Sequence, residues 1–91
     1  MNIPAITSID NALKIFYTHA EIGNAEIKAL FGSLSSATVA RLKAAVKTEM
    51  DRREMFSYGM YKINTTVAFD VWGLNAADLE KRRKKLKELA L

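Results

Sequence analysis

The sequence has no cysteine, which excludes a disulfide framework and any thiolate metal site. A chain without thiols suits the reducing cytoplasm, and a cytoplasmic location is expected. Its one histidine, His19, has no acidic or hydroxyl residue at ligand or dyad spacing, so it does not read as a metal ligand or a catalytic base. It falls instead near a helix C-terminus, where an imidazole favours the dipole. There is no glycine-rich phosphate loop and no nucleophile elbow, and Asp70 and Asp78 form no recognisable carboxylate pair. The expectation is a protein that is not an enzyme, with no cofactor, no metal and no small-molecule substrate. No apolar run approaches the roughly 18–20 residues that cross a bilayer. The start, residues 1–6, lacks the basic residues and continuous apolar stretch of a secretory signal, so no membrane partner is expected. Linkers and low-complexity tracts are also missing.

What is present is an ordinary globular balance: 91 residues, 49% hydrophobic and 26% charged. That length allows one domain, residues 1–91, with a modest core. The net charge of +4 is unevenly placed. Residues 1–35 carry a net of −1, residues 36–54 a net of +2, and residues 78–91 a net of +3. Two predicted helices therefore hold the positive charge, as surfaces facing a polyanion do; solvated helix faces have the same pattern.

Apolar periodicity predicts five helices. The first opens at the N-cap Ser8, carries Ile9, Ala12, Leu13, Phe16 and Ala20 on one stripe, and ends at Gly23. The second is short, capped by Asn24, turned inward through Ile27, Leu30 and Phe31, and stopped by Gly32. The third runs from Ser36 to Glu54 with Val39, Leu42, Val46 and Met50 inward. The fourth starts at the N-cap Asn64, buries Val67, Ala68, Val71 and Trp72, and ends at Gly73. The fifth, residues 76–91, is basic; Asn75 caps it, Asp78 occupies its third position, and Leu79, Leu86 and Leu89 share a side. Residues 55–63 fit a short β-hairpin wing around Gly59, a loop that tucks aromatics into the core, or an extension of the helix; nine residues are cramped for a full wing, which favours the latter two. The fold class expected is all-α, a compact five-helix domain.

Within it, the stretch from Glu26 to Gly32 joined to Leu34–Leu42 resembles the helix-turn-helix of bacterial and phage DNA-binding proteins, with residues 24–44 covering the motif. Gly32 turns the chain with positive φ, Leu34 plugs the angle between the helices, and Ser35 or Ser36 caps the second helix. Val39 and Leu42 anchor that helix on Ile27 and Phe31. The turn is one residue longer, at Ser33, than the usual pattern, and Lys28 stands where a small residue is usual. A second, weaker match spans residues 65–83, where Gly73 turns, Leu74 plugs, Asn75 caps and Leu79 anchors.

The resemblance implies that the N-terminal half of the third helix enters the major groove. Ser35, Ser36, Ala37, Thr38, Ala40 and Arg41 then form the candidate DNA-contacting set, with Ala44 beside them. Arg41 alone has the reach for a bidentate contact to guanine. Lys43 and Lys47, with Lys28, Arg52 and Arg53, suit phosphates, as do Lys81, Arg82, Lys84 and Lys85 on the last helix. The function expected is sequence-dependent binding of double-stranded DNA by a small transcriptional regulator of phage or mobile-element type. A single short recognition helix reads few bases, so a homodimer is expected as well. The alternative is a protein-interaction or assembly module on the same helical fold, and a weaker third is RNA binding through the basic helix. The group Phe56, Tyr58, Tyr61 and Trp72 is expected in the core or in a dimer contact.

Overall fold

A computed structural model describes residues 2–56, 59 and 61–89. Five helices and two short strands follow in the order α1 (Ile9–Thr18), β1 (Glu21–Ile22), α2 (Asn24–Phe31), α3 (Ser36–Arg52), β2 (Ile63–Asn64), α4 (Thr65–Val71) and α5 (Ala76–Leu89). The chain is mostly helical, as periodicity indicates, with one departure from the all-α expectation. Glu21 and Ile22 pair antiparallel with Asn64 and Ile63.

That pairing shortens α1. The helix starts as expected, with Ser8 Oγ accepting the Asn11 N–H at 3.2 Å and Asp10 in the positive first turn. It stops at Thr18 rather than running on to Gly23. Ala20 leaves the helix, and its carbonyl accepts the Thr65 N–H at 3.1 Å. Ile22 and Ile63 are β-branched residues suited to extended backbone, and both are completely buried. Burying two isoleucines across the strand pair outweighs one further helical turn ending in Glu21. The candidate wing at 55–63 falls partly outside the described residues, at 57, 58 and 60; the strand at its end pairs with the α1–α2 connection.

Gly23, not Asn24, precedes α2, and Glu26 Oε1 reaches back to accept the Gly23 N–H at 2.8 Å. At the other end, α2 leaves carbonyls that its own helix cannot satisfy. Thr7 N–H donates to the Leu30 carbonyl at 2.8 Å, Thr7 Oγ1 to the Ala29 carbonyl at 3.0 Å, and Asn11 Nδ2 to the same Ala29 carbonyl at 2.7 Å. The N-terminal segment thus holds the end of α2 in place. Gly32 follows with φ 87°, a conformation that costs other residues strain.

The core joins all five helices in one apolar cluster. Val39, Leu42, Val46 and Met50 of α3 meet Ile27, Leu30 and Phe31 of α2 and Val67, Ala68 and Phe69 of α4 in it. Trp72 closes it, donating from Nε1 to the Leu42 carbonyl at 3.2 Å and packing edge-on against Phe31 with centroids 5.4 Å apart. α4 packs on α3 and α5 on α1. Leu79 is the one buried residue of α5 among those described. Leu86 and Leu89, on the same predicted stripe, are exposed. Thr65 Oγ1 is the one buried side-chain polar atom with no hydrogen-bond partner among the described residues. No helix among the described residues is long and apolar enough to cross a membrane.

Candidate nucleic-acid interface

The turn from Gly32 to Ser35 sets α3 at a defined start. Ser35 Oγ accepts the Thr38 N–H at 3.1 Å and lies 2.9 Å from Thr38 Oγ1. Thr38 is therefore half-buried and tied to the cap, while Ser35, Ser36 and Ala37 are exposed. No acidic residue occupies the first turn of α3, whereas α1, α2 and α5 carry Asp10, Glu26 and Asp78 there. The partial positive charge of its N-terminus is met by the Ser35 hydroxyl but by no acidic side chain of its first turn.

Beyond the cap, the inward stripe of Val39, Leu42, Val46 and Met50 leaves an outward face of Ala37, Ala40, Arg41, Ala44, Lys47 and Thr48, all exposed. Arg41 and Lys47 have no hydrogen bond or ion pair among the described residues. The rest of this face is short, so a surface can approach the helix closely.

Lys43 is placed differently from its neighbours. It is half-buried, and its Nζ donates to the Tyr61 carbonyl at 2.6 Å and to Asn24 Oδ1 at 3.1 Å. Partial burial, followed by repulsion from Lys47, lowers its pKa. Lys43 brackets α3, the start of α2 and the segment before β2, so its ammonium is engaged by its own chain at the surface rather than held out for a phosphate. Arg52 and Arg53 are engaged as well. Both hydrogen-bond the Glu49 carboxylate, Arg53 Nε at 2.7 Å, and Arg53 Nη1 also reaches Asp70 at 3.2 Å. These donors hold the Glu49 carboxyl at a pKa of about 2.

On α5, Lys81, Arg82, Lys84 and Lys85 are all exposed. Arg82 pairs with Asp78 at 3.4 Å and Arg83 reaches across to Asp10 of α1 at 3.6 Å. Lys81, Lys84, Lys85 and Lys87 remain without a partner among the described residues. The candidate residues thus fall into two groups, one on the outer face of α3 and one on α5.

Trp72 lies in the core as expected, but Phe56 and Tyr61 are 91% and 74% exposed; Tyr58 lies outside the described residues. His19 Nδ1 lies 2.8 Å from Thr18 Oγ1 at the end of α1. Among the described residues no three His, Asp or Glu side chains gather as a metal site. The ties made by Thr7, Asn11 and Asn24 escaped the sequence reading. Their partners lie 18 to 23 residues away, and no local pattern signals them.

Comparison with protein families, curated proteins and solved structures finds no match to this chain.

Proposed function

We propose that this chain binds double-stranded DNA, with α2, the Gly32–Ser35 turn and α3 serving as a helix-turn-helix. On this reading it acts as a homodimer in transcriptional regulation of phage or mobile-element type, and its activity is binding rather than catalysis. The outward face of the first half of α3 carries the proposal: it is exposed, built of short side chains around Arg41, and free of acid in its first turn. An α-helix fits the major groove only when its contacting side chains do not hold it away. Ala37, Ala40 and Ala44 allow that approach and suit thymine methyl groups, while Arg41 reaches guanine O6 and N7. The Ser35 cap and the N–H groups beside it suit a phosphate. The unpaired lysines of α5 supply sequence-independent attraction.

Gel-shift titration with random and selected duplexes, repeated as salt rises, tests the proposal. Binding should weaken steeply with salt. Arg41→Ala should reduce discrimination between sites by roughly 1–3 kcal/mol. Lys81→Gln combined with Lys84→Gln should weaken all duplexes alike and lower the slope of log K against log salt by roughly 2. No retarded band at low salt refutes the proposal. That outcome favours a protein-assembly module, a reading supported by the exposure of Phe56 and Tyr61.

A further inference from the structure

Along one side of α5, a hollow of mixed lining and two exposed leucines lie end to end. The hollow, about 340 Å³, sits between the N-terminal segment and the α4–α5 turn, with Ile3, Ile6, Trp72 and Leu79 as apolar walls and Asn75, Asp78 and Arg82 as polar ones. Further along the helix, Leu86 and Leu89 are 57% and 77% exposed and flank a shallower cleft beside Ile9. Arg82 borders both. Asp78, Leu79, Arg82, Lys85, Leu86 and Leu89 recur at steps of one, three and four residues, so both features share one helix face.

A face that carries projections and a receptacle together has what a two-fold contact requires, since each surface must then complement a copy of itself. We propose that a second copy of this chain occupies the face. The two α5 helices lie antiparallel with Arg82 near the axis, and each copy places Leu86 and Leu89 over the other's Ile3–Trp72–Leu79 hollow. Charge supports the same register. Antiparallel pairing about Arg82 brings Lys85 of one copy toward Asp78 of the other, whereas parallel pairing sets Lys85 against Lys85. Arg82 is already compensated by Asp78 of its own chain, so the axis does not gather two unpaired cations. For its use on DNA this inference rests on the homodimer reading under Proposed function, for which it supplies the contact.

A contact made chiefly by one helix pair lies at the small end of specific interfaces, below roughly 1,200 Å² in total, and gives a dimer of micromolar strength or weaker. Sedimentation equilibrium of the full chain without DNA, from low micromolar to several hundred micromolar, tests it. The wild-type chain should dimerise over this range. Leu86→Gln with Leu89→Gln should weaken dimerisation at least about tenfold. The helical circular dichroism should not change, because both leucines are exposed in the monomer. Lys85→Glu should weaken the dimer, and Lys85→Glu with Asp78→Lys should restore it. A wild-type chain that stays monomeric overturns the proposal, as does a leucine variant that dimerises undiminished. Failure of the charge exchange to restore pairing overturns the antiparallel register. A chain that dimerises yet ignores DNA keeps this interface and refutes the DNA reading. One that binds DNA but never self-associates does the reverse.

Discussion

Glu54 has φ 56°, the one positive value at a non-glycine residue among those described. It stands at the end of α3 where the Met55 N–H donates to the Met50 carbonyl at 2.9 Å and the Glu54 N–H to the Asp51 carbonyl at 3.1 Å. This pair of bonds is the Schellman closure, which satisfies the last carbonyls of a helix by passing one residue through the left-handed region. α4 ends in the same way, with Leu74 N–H on the Phe69 carbonyl at 2.8 Å and Gly73 N–H on the Asp70 carbonyl at 3.2 Å. There the left-handed residue is Gly73, at φ 70°. The two ends differ in the residue that makes the turn, so each serves as a control for the other.

Left-handed backbone costs a residue with a Cβ roughly 1–2 kcal/mol. Glycine avoids that strain but loses more freedom on folding, by roughly 0.5–1 kcal/mol. Glu54→Gly should therefore stabilise the chain by about 0.5–1 kcal/mol, raising the melting temperature by about 2–8 °C for a domain of this size. Gly73→Ala should lower stability by a similar amount through conformation alone, because a Cβ at Gly73 meets no atom within 4 Å. Urea and thermal unfolding followed by fluorescence measure both, since Trp72 is the only tryptophan and is buried. Glu54 lies at the opposite end of α3 from Ser35–Arg41, so on the DNA reading Glu54→Gly should leave discrimination between sites unchanged. A neutral or destabilising Glu54→Gly, with Gly73→Ala harmless, would refute the strain argument.

Three further outcomes follow from the same geometry. Ser35→Asp should keep the α3 cap and its stability, because aspartate caps as well as serine and favours the helix dipole; on the DNA reading it should still weaken binding by setting a carboxylate against phosphate. Ser35→Ala should instead lose about 1 kcal/mol of stability, and gel shift beside thermal melting separates the two effects. Thr65→Val removes a buried hydroxyl that has no partner at nearly constant shape, and should stabilise the fold by about 1–2 kcal/mol in urea titration. The Glu49 carboxyl, held at about 2 by Arg52 and Arg53, lies below its ordinary value of 4.5. Its contribution to stability is complete above the ordinary glutamate range and is lost as pH falls through about 2. Melting temperature against pH should show that loss, and Glu49→Gln should remove its share of the slope.

How far the sequence reveals the fold depends on the distance over which each contact acts. The sequence points to Ser8, Asn64 and Asn75 as caps and leaves α3 to Ser35 or Ser36; Ser8, Ser35, Asn64 and Asn75 each accept the N–H of the residue three positions on. Both partners of such a bond lie within one helical turn, so local chemistry identifies it. The strand pair joins Ile22 to Ile63 across the whole of α2 and α3, and two residues are too few to show a period of two. Ile22 therefore read as the last turn of α1. The same limit applies to charge. The sequence shows that α3 and α5 are basic, but Lys43 is engaged by a carbonyl and an amide, Arg52 by Glu49, Arg53 by two acids, Arg82 by Asp78, and Arg83 by an acid on α1. Subtracting these leaves Arg41 and Lys47 on α3 and Lys81, Lys84, Lys85 and Lys87 on α5 as the cations without a partner on those helices among the described residues. On the DNA reading, the cations free to meet phosphates are thus fewer than the basic residues suggest, and the salt dependence of any duplex binding is the measurement that counts them.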